Sequence, residues 1–520
     1  MKQTLRSLSA IGFFIFTVLT VVAQSNPMVI NREKVVGKDY LTNSDIVARE
    51  YVFPENIIHT YVDTTTNQLT AQLRSTSKNG KYLKKNGKIV LYDLTNNDTK
   101  WSKKINYQLS SIQQFGDVLI QKLANKSTCL NSKNGETKWV SNSFINFADN
   151  NLRIGIGYTF NSMSGFSNSL RGIDFENGNL FWERYIDHEY GWNDIFPMND
   201  SVVMIVSSGL HTVNLLNGDG WDYNAVTGAK DYTGTIAANA AGLALGLLTG
   251  SFVVTTGYDM VSELVSNVIV DSNAIYFASK EEIVCLNQDG QTIWSRQFPK
   301  KMASKSSIFA KDGFIYMINE GAAVMGYGTV DYGTPFIAAF DKITGEQLFL
   351  TLISDKKDQI NGFKINNDTA ILLFNDRIST YSLMDGTNLA QIPVNTDETG
   401  VILDFIGKQV YLEYDSAFSC PKLSDPWNHY IYTKSGKTIV MNDRFEILDQ
   451  IDRDLLYIRY LSSDSVTFLS RDNETTIIDN QNKKIAVLQL TDQPFLIGSR
   501  LFYTEEKSIF EIDINEFIKH

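Results

Sequence analysis

One short motif returns along this chain and governs what it can fold into. Asn131, Gly135 and Trp139 in CLNSKNGETKW come back as Asp174, Gly178 and Trp182 in GIDFENGNLFW, with the same offsets of four and eight. CLNQDGQTIW repeats them as Asn287, Gly290 and Trp294, and FIAAFDKITGEQLF as Asp341, Gly345 and Phe349. Asp93 and Trp101 keep the acid and the indole without the glycine. Ser382 and Gly386 keep the turn without the aromatic, and Asn214 and Gly218 keep the turn with Trp221 displaced. Weaker echoes sit at Asn442, Asp479 and Asp513. Neighbouring anchors lie mostly 34 to 43 residues apart, a period that marks a repeat architecture.

The unit reads as a β-hairpin. An alternating apolar strand ends at an Asp or Asn whose side chain can bond the backbone of the turn, a glycine supplies positive φ, and an aromatic opens the next strand. One period holds about one four-stranded sheet, whose two apolar faces cannot be buried alone; stacking such sheets around an axis buries both, with the indole in the seam. The expectation is an all-β propeller. Ala339-Phe340-Asp341-Lys342-Ile343-Thr344-Gly345 resembles the A-x-D-x-x-T-G-x-x-x-W tryptophan-docking repeat of the pyrroloquinoline-quinone (PQQ) dehydrogenase propellers, and that of the propeller lipoprotein in the outer-membrane barrel assembly machinery. The resemblance spans most of Thr66 to His520 and implies a quinoprotein-like ring. Ten anchors exceed the usual four to eight blades. Eight blades are therefore expected, with the C-terminal SIFEIDI completing an N-terminal blade and residues 25–65, which show no clear repeat, packed on the rim.

The chain opens on MKQTLRSLSAIGFFIFTVLTVVAQSN, two basic residues before an apolar run and then small residues, which is the layout of a signal peptide over residues 1–24. The run is shorter than the ~20 residues of a spanning helix. The first cysteine is Cys129, so the lipid-bearing cysteine of the barrel-machinery propeller has no counterpart at the end of the leader. The expected location is therefore periplasmic or secreted, envelope-associated at most. A net charge of −11 argues against nucleic acid as a partner, since phosphate neutralisation needs a basic face. Three cysteines make no disulfide framework; Cys129 and Cys285, in TCLN and VCLN, read as small buried strand residues.

Between Asn214 and Asn287 the spacing grows to 73, so an insert at about 228–268 interrupts the propeller at 66–520. From Tyr232 to Tyr258 it carries no charge, and Gly234, Ala238, Gly242, Gly246 and Gly250 fall at four-residue intervals, a smooth helical stripe. YDMVSELVSN continues a helical pattern with Met260, Val261, Leu264, Val265 and Val268 on one side. A single span here would put adjacent blades on opposite sides of a bilayer, so a helical insert packed on its own propeller is favoured over membrane contact.

Long connections give the candidate site. NSMSGFSNS, EGAAVMGYGTVDYGTP and DSAFSCPKLSDPWNHY read as links between the second and third strands of their blades, and DHEYGWND as a link between blades. Such links emerge on one face, where binding is usual. That face would offer Tyr190, Trp192, Tyr327, Tyr332, Trp427 and Tyr430 as stacking groups beside Asp187, His188, Glu189, Asp194 and His429. Aromatics with carboxylates suit sugars, peptides or a partner's loops. NGDGWDYN lacks a calcium-loop register, and His188 has no partner histidine at metal-ligand spacing, so no metal is expected. The chain has no H-E-x-x-H, C-x-x-C-H, G-x-S-x-G or P-loop. Nor does it have the adjacent cysteine pair that the resemblance to PQQ dehydrogenases implies, so no cofactor is expected. The leading expectation is an exported, non-enzymatic propeller that binds a protein or polysaccharide of the cell envelope. Alternatives are an enzyme on the same face, either a PQQ-like oxidoreductase or a carbohydrate-active hydrolase using Asp187, Glu189 and Asp194, and an outer-membrane assembly scaffold.

Overall fold

The computed structural model describes residues 29–515 apart from the segments 64–65, 124–125, 162–164, 231–259, 327, 355–357, 406–409, 413–421, 424–427, 453–455, 463–465, 472–473, 482 and 490–494. The expected leader at 1–24 and the uncharged stretch of the insert lie outside the described residues. The one described helix, α1 (Thr396–Thr399), is a single turn capped by Asn395.

Antiparallel four-stranded sheets follow one another along the chain as blade 1 (56–106), blade 2 (110–141), blade 3 (143–185) and blade 4 (194–224). Blade 5 (269–297), blade 6 (306–352), blade 7 (362–393) and blade 8 (402–452) continue the series. Blade 9 (456–488) and blade 10 belong to one continuous eleven-stranded sheet. Blade 10 has three C-terminal strands, Phe495–Ile497, Arg500–Glu505 and Ser508–Asp513, and takes its fourth, Asp45–Val52, from the N-terminal region. We name the strands of a blade a to d in chain order; d, as in Leu180–Tyr185 or Asn388–Pro393, is mostly exposed, so a is innermost.

The expected eight blades are thus corrected to ten. Nine of the ten anchors, weak ones included, end strand c or open the turn between strands c and d of a real blade, and the tenth, Asp513, ends strand c of blade 10, whose strand d comes from the N-terminal region. Asp479 closes Glu474–Asp479 and Asp513 closes Ser508–Asp513. The expectation for 25–65 is corrected as well for its described part, residues 29–63, which supplies blade strands and is no rim attachment. Asn56–Asp63 is strand a of blade 1, and Asp45–Val52 pairs with Ser508–Asp513. The strand before it, Ile30–Asp39, pairs along Asp45–Val52 and, through Gly37 to Asp39, reaches Ala486 to Leu488 of blade 9.

Apolar side chains on facing blades make the core. Cys129, Trp139, Ile145 and Phe175 join blades 2 and 3, and Tyr276, Trp294, Ile315 and Phe340 join blades 5 and 6. The ring closes where Tyr51, Phe53 and Phe502 of blade 10 and its N-terminal strand pack on Leu69, Val90 and Tyr92 of blade 1. Burial on both faces accounts for the near-continuous apolar runs in strands b, such as Val202–Ser207.

The repeat motif explains the seams. Each indole of strand d donates from Nε1 to a backbone carbonyl of the next blade's c–d turn: Trp101 to Ser132 (2.8 Å), Trp139 to Phe175 (2.8 Å), Trp182 to Leu215 (2.7 Å) and Trp294 to Lys342 (3.2 Å). Trp221, displaced in sequence, does the same to Gln288 at 2.8 Å. The accepting residue always follows the anchoring Asp or Asn, whose Oδ1 takes the backbone N–H two residues on; Asn131 accepts from Lys133 at 2.8 Å and Asp174 from Glu176 at 2.7 Å. The turn glycine lies flat against that indole. A Cβ on Gly178 would stand 2.7 Å from Trp139, and its φ of 77° is one that side chains disfavour. In blade 1, Asn97 at φ 54° occupies the place of the missing glycine.

Candidate interaction face

Strands that alternate in direction put the b–c and d–a connections on one face of the ring and the a–b and c–d turns on the other. On the b–c face a further sheet is built entirely from connections. Ala229–Lys230 and Met260–Ser262 come from the link between blades 4 and 5, and Ala322–Met325 and Gly328–Asp331 from the b–c link of blade 6. The helical expectation for YDMVSELVSN is corrected here. Met260–Ser262 pairs with Val324 and Met325, partners more than fifty residues away, and Val265 bridges to Ser279, so partners outside the segment satisfy its backbone. Val261, Leu264 and Ala323 form the small core beneath, with Tyr332 against it.

The loop after blade 3 joins this sheet. Glu189 pairs with Lys230 at 2.6 Å, and the Tyr190 ring covers Gly228, where a Cβ would come within 2.2 Å of it. Asp187 accepts from Asn168 Nδ2 at 3.1 Å and from the Glu189 N–H at 3.1 Å, and Asp194 is exposed at the start of blade 4. Partial burial, with Glu189 adding to it, pushes the Tyr190 phenol up; burial with Glu281 and Tyr190 does the same for Tyr332. Lys305 pairs with Glu263 at 3.3 Å at the edge of the same assembly. Burial first, then Glu263, raises the Glu320 carboxyl there.

The sequence-derived candidates therefore divide. Asp187, Glu189, Tyr190, Asp194 and Tyr332 share the b–c face. His188 is 5% exposed, its Nε2 against the Ser167 carbonyl at 2.8 Å and its ring 4.0 Å from Tyr158. Trp192 is 6% exposed and donates to the Tyr158 hydroxyl at 3.1 Å. Both fold the loop down and offer no stacking surface. Tyr327 and Trp427 lie outside the described residues. The connection holding His429 and Tyr430 is corrected from b–c to a–b. His429–Thr433 is strand b of blade 8, paired to Ile402–Phe405, so the segment enters from the opposite face. Part of that excursion, Val410–Leu412 with Lys422–Leu423, adds to the inner edge of blade 9. His429 and Tyr430 are buried at 4% and 7% exposure, the imidazole stacked 5.0 Å from Phe445. Among the described residues no three metal-ligating side chains cluster, and no helix is long and apolar enough to cross a membrane.

Strand order and seam geometry define the class of this chain: a β-propeller of four-stranded blades. No family model matches it, and no curated protein does. Among solved structures it is similar to the crystal structure of BamB from Moraxella catarrhalis, with 13% identity over 73% of this chain and 96% of that one and a TM-score of 0.32. The C-terminal WD40 domain of Sif2 gives 8% identity over 80% and 97% with a TM-score of 0.31. Apo AztD from Citrobacter koseri gives 10% over 70% and 91% with 0.30.

Proposed function

We propose that this chain is an exported binding propeller that engages a protein or polymer of the cell envelope through its b–c face. One observation carries the reading: the blade 4–5 link and the b–c link of blade 6, remote in sequence, are spent on an extra sheet against which the loop after blade 3 lays Glu189 and Tyr190, with Tyr332 packed on its core. Loops held by a rigid scaffold are where binding surfaces form, and aromatic groups with carboxylates give area and direction at once. Apart from the long a–b connection of blade 8, the opposite face carries short Asx-glycine turns whose polar groups are used within the turn itself. The test is capture of partners from envelope extract by the mature chain. Tyr190→Ala with Asp194→Lys is expected to remove the partner retained by the parent protein, while Ile343→Ser with Met384→Ser on the opposite turns leaves it bound. The reverse pattern, or undiminished capture by both, contradicts the assignment.

A further inference from the structure

A lysine is seldom buried without a carboxylate beside it, because taking an ammonium out of water costs several kcal/mol that only counter-charge or good acceptors offset. Lys122, in strand b of blade 2 (Val118–Leu123), is 6% exposed. Among the described residues its ammonium has no ion pair and no hydrogen bond; its close neighbour is the Phe144 ring, 5.0 Å to the centroid. Val118 and Ile120 of the same strand point into the seam with blade 3, beside Cys129 and Ile145. The alternation carries Lys122 along that seam to its b–c end. Burial depresses its pKa to about 8.

What lies next to the cation is apolar and half open. Phe144 meets Phe166 at 5.5 Å, and Phe166 meets Phe160 at 5.0 Å, all three partly buried at the b–c end of blade 3. The Ser143 hydroxyl, one residue before Phe144, is buried without a partner. Arg171, another cation of blade 3, is already held by Glu183 at 3.2 Å and Asn142 at 2.9 Å. Lys122 is the charge left over.

We propose that the b–c end of the seam between blades 2 and 3 binds a small monocarboxylate with an apolar body, the carboxylate on Lys122 and the body on the Phe144, Phe160 and Phe166 rings. One ammonium matches one negative charge, and the rings supply area that a bare inorganic anion would leave unused. This site is separate from the sheet proposed above to engage an envelope partner, so either can fail alone.

The test is thermal unfolding of the mature chain with 3-phenylpropionate, with its neutral analogue 3-phenylpropanol, and with acetate. At tenfold excess over Kd the acid is expected to raise the midpoint by roughly 1–2 °C, with the alcohol and acetate giving less. Lys122→Met should abolish that rise and raise the ligand-free midpoint, because it removes an uncompensated ammonium and keeps the stem. Equal shifts with acid and alcohol, an undiminished shift in K122M, or a lowered ligand-free midpoint overturns the site. Should K122M fail to fold, reductive methylation of the parent chain gives a second reading. The dimethyl-lysine carbon resonance titrating lowest should move when 3-phenylpropionate is added, and a resonance that stays put overturns the site equally.

Discussion

Trp139 and Gly178 are the smallest unit in which the fold can be tested. The indole is buried, hydrogen-bonded to Phe175 O at 2.8 Å and pressed on the glycine of the following blade. Trp139→Ala should cost about 3–5 kcal/mol in chemical unfolding. Gly178→Ala should cost about 2 kcal/mol, part from φ and part from the collision. With the ring gone the collision vanishes, so the double variant should lose measurably less than the sum; strict additivity would mean that the two do not share a seam. His429 gives a pH test. Burial, then the Lys364 ammonium 3.2 Å from Nδ1, holds its pKa at about 4. The unfolded histidine titrates near 6.5, so between these values the unfolded chain binds more protons, and stability present above pH ~6.5 falls as pH drops toward 4. His429→Gln should flatten that limb by about 2 kcal/mol in urea midpoints between pH 7 and 4. An unchanged slope would place the titration elsewhere.

At the scale of elements, the strand Asp45–Val52 bears most on stability. It buries Tyr51, packs beside Phe53, and completes a blade whose other strands lie at the far end of the chain. Removing residues 1–53 is expected to lower the thermal midpoint by at least ~10 °C, since two large aromatic side chains leave the closing seam. A peptide of residues 43–54 added in trans should recover part of it; an undiminished midpoint after truncation would deny the strand its place. What the sequence revealed follows from the same physics. Trp101, Trp139, Trp182 and Trp294 announced their seams because the docking needs an acid or amide, a glycine and an indole at fixed offsets. Blades 8 to 10 spoke weakly because apolar packing with no docked indole, such as Ile431 with Ile439 or Phe468 with Phe510, needs no such signature. The pairing of Tyr51 with Ile509 joins residues 458 apart and leaves no local trace. The same holds for Met260–Ser262, whose periodicity matched a helix while its partners made it a strand. On the candidate face, polarity and loop length picked out Glu189, Tyr190 and Tyr332. They could not separate a ring that faces solvent from one, like Trp192, that pins its own loop. Lys122 was invisible for the opposite reason: within IQKLANKS nothing distinguishes it from an exposed lysine until blade 3 covers it.

For the whole molecule, ten blades joined one to the next behave as a repeat array whose ends meet, and closure turns near-neighbour contacts into one cooperative body. The same closure sets the two faces: the c–d turns, mostly short, lie on one together with the long a–b excursion of blade 8, and the links that build the extra sheet lie on the other. The most direct measurement is an experimental density map of the mature chain viewed down the ring axis. Ten four-stranded blades should surround that axis, with residues 45–52 forming the outer strand of the last and Trp139, Trp182 and Trp294 lying in the seams. Eight blades, an open array, or residues 45–52 bound anywhere else would contradict it.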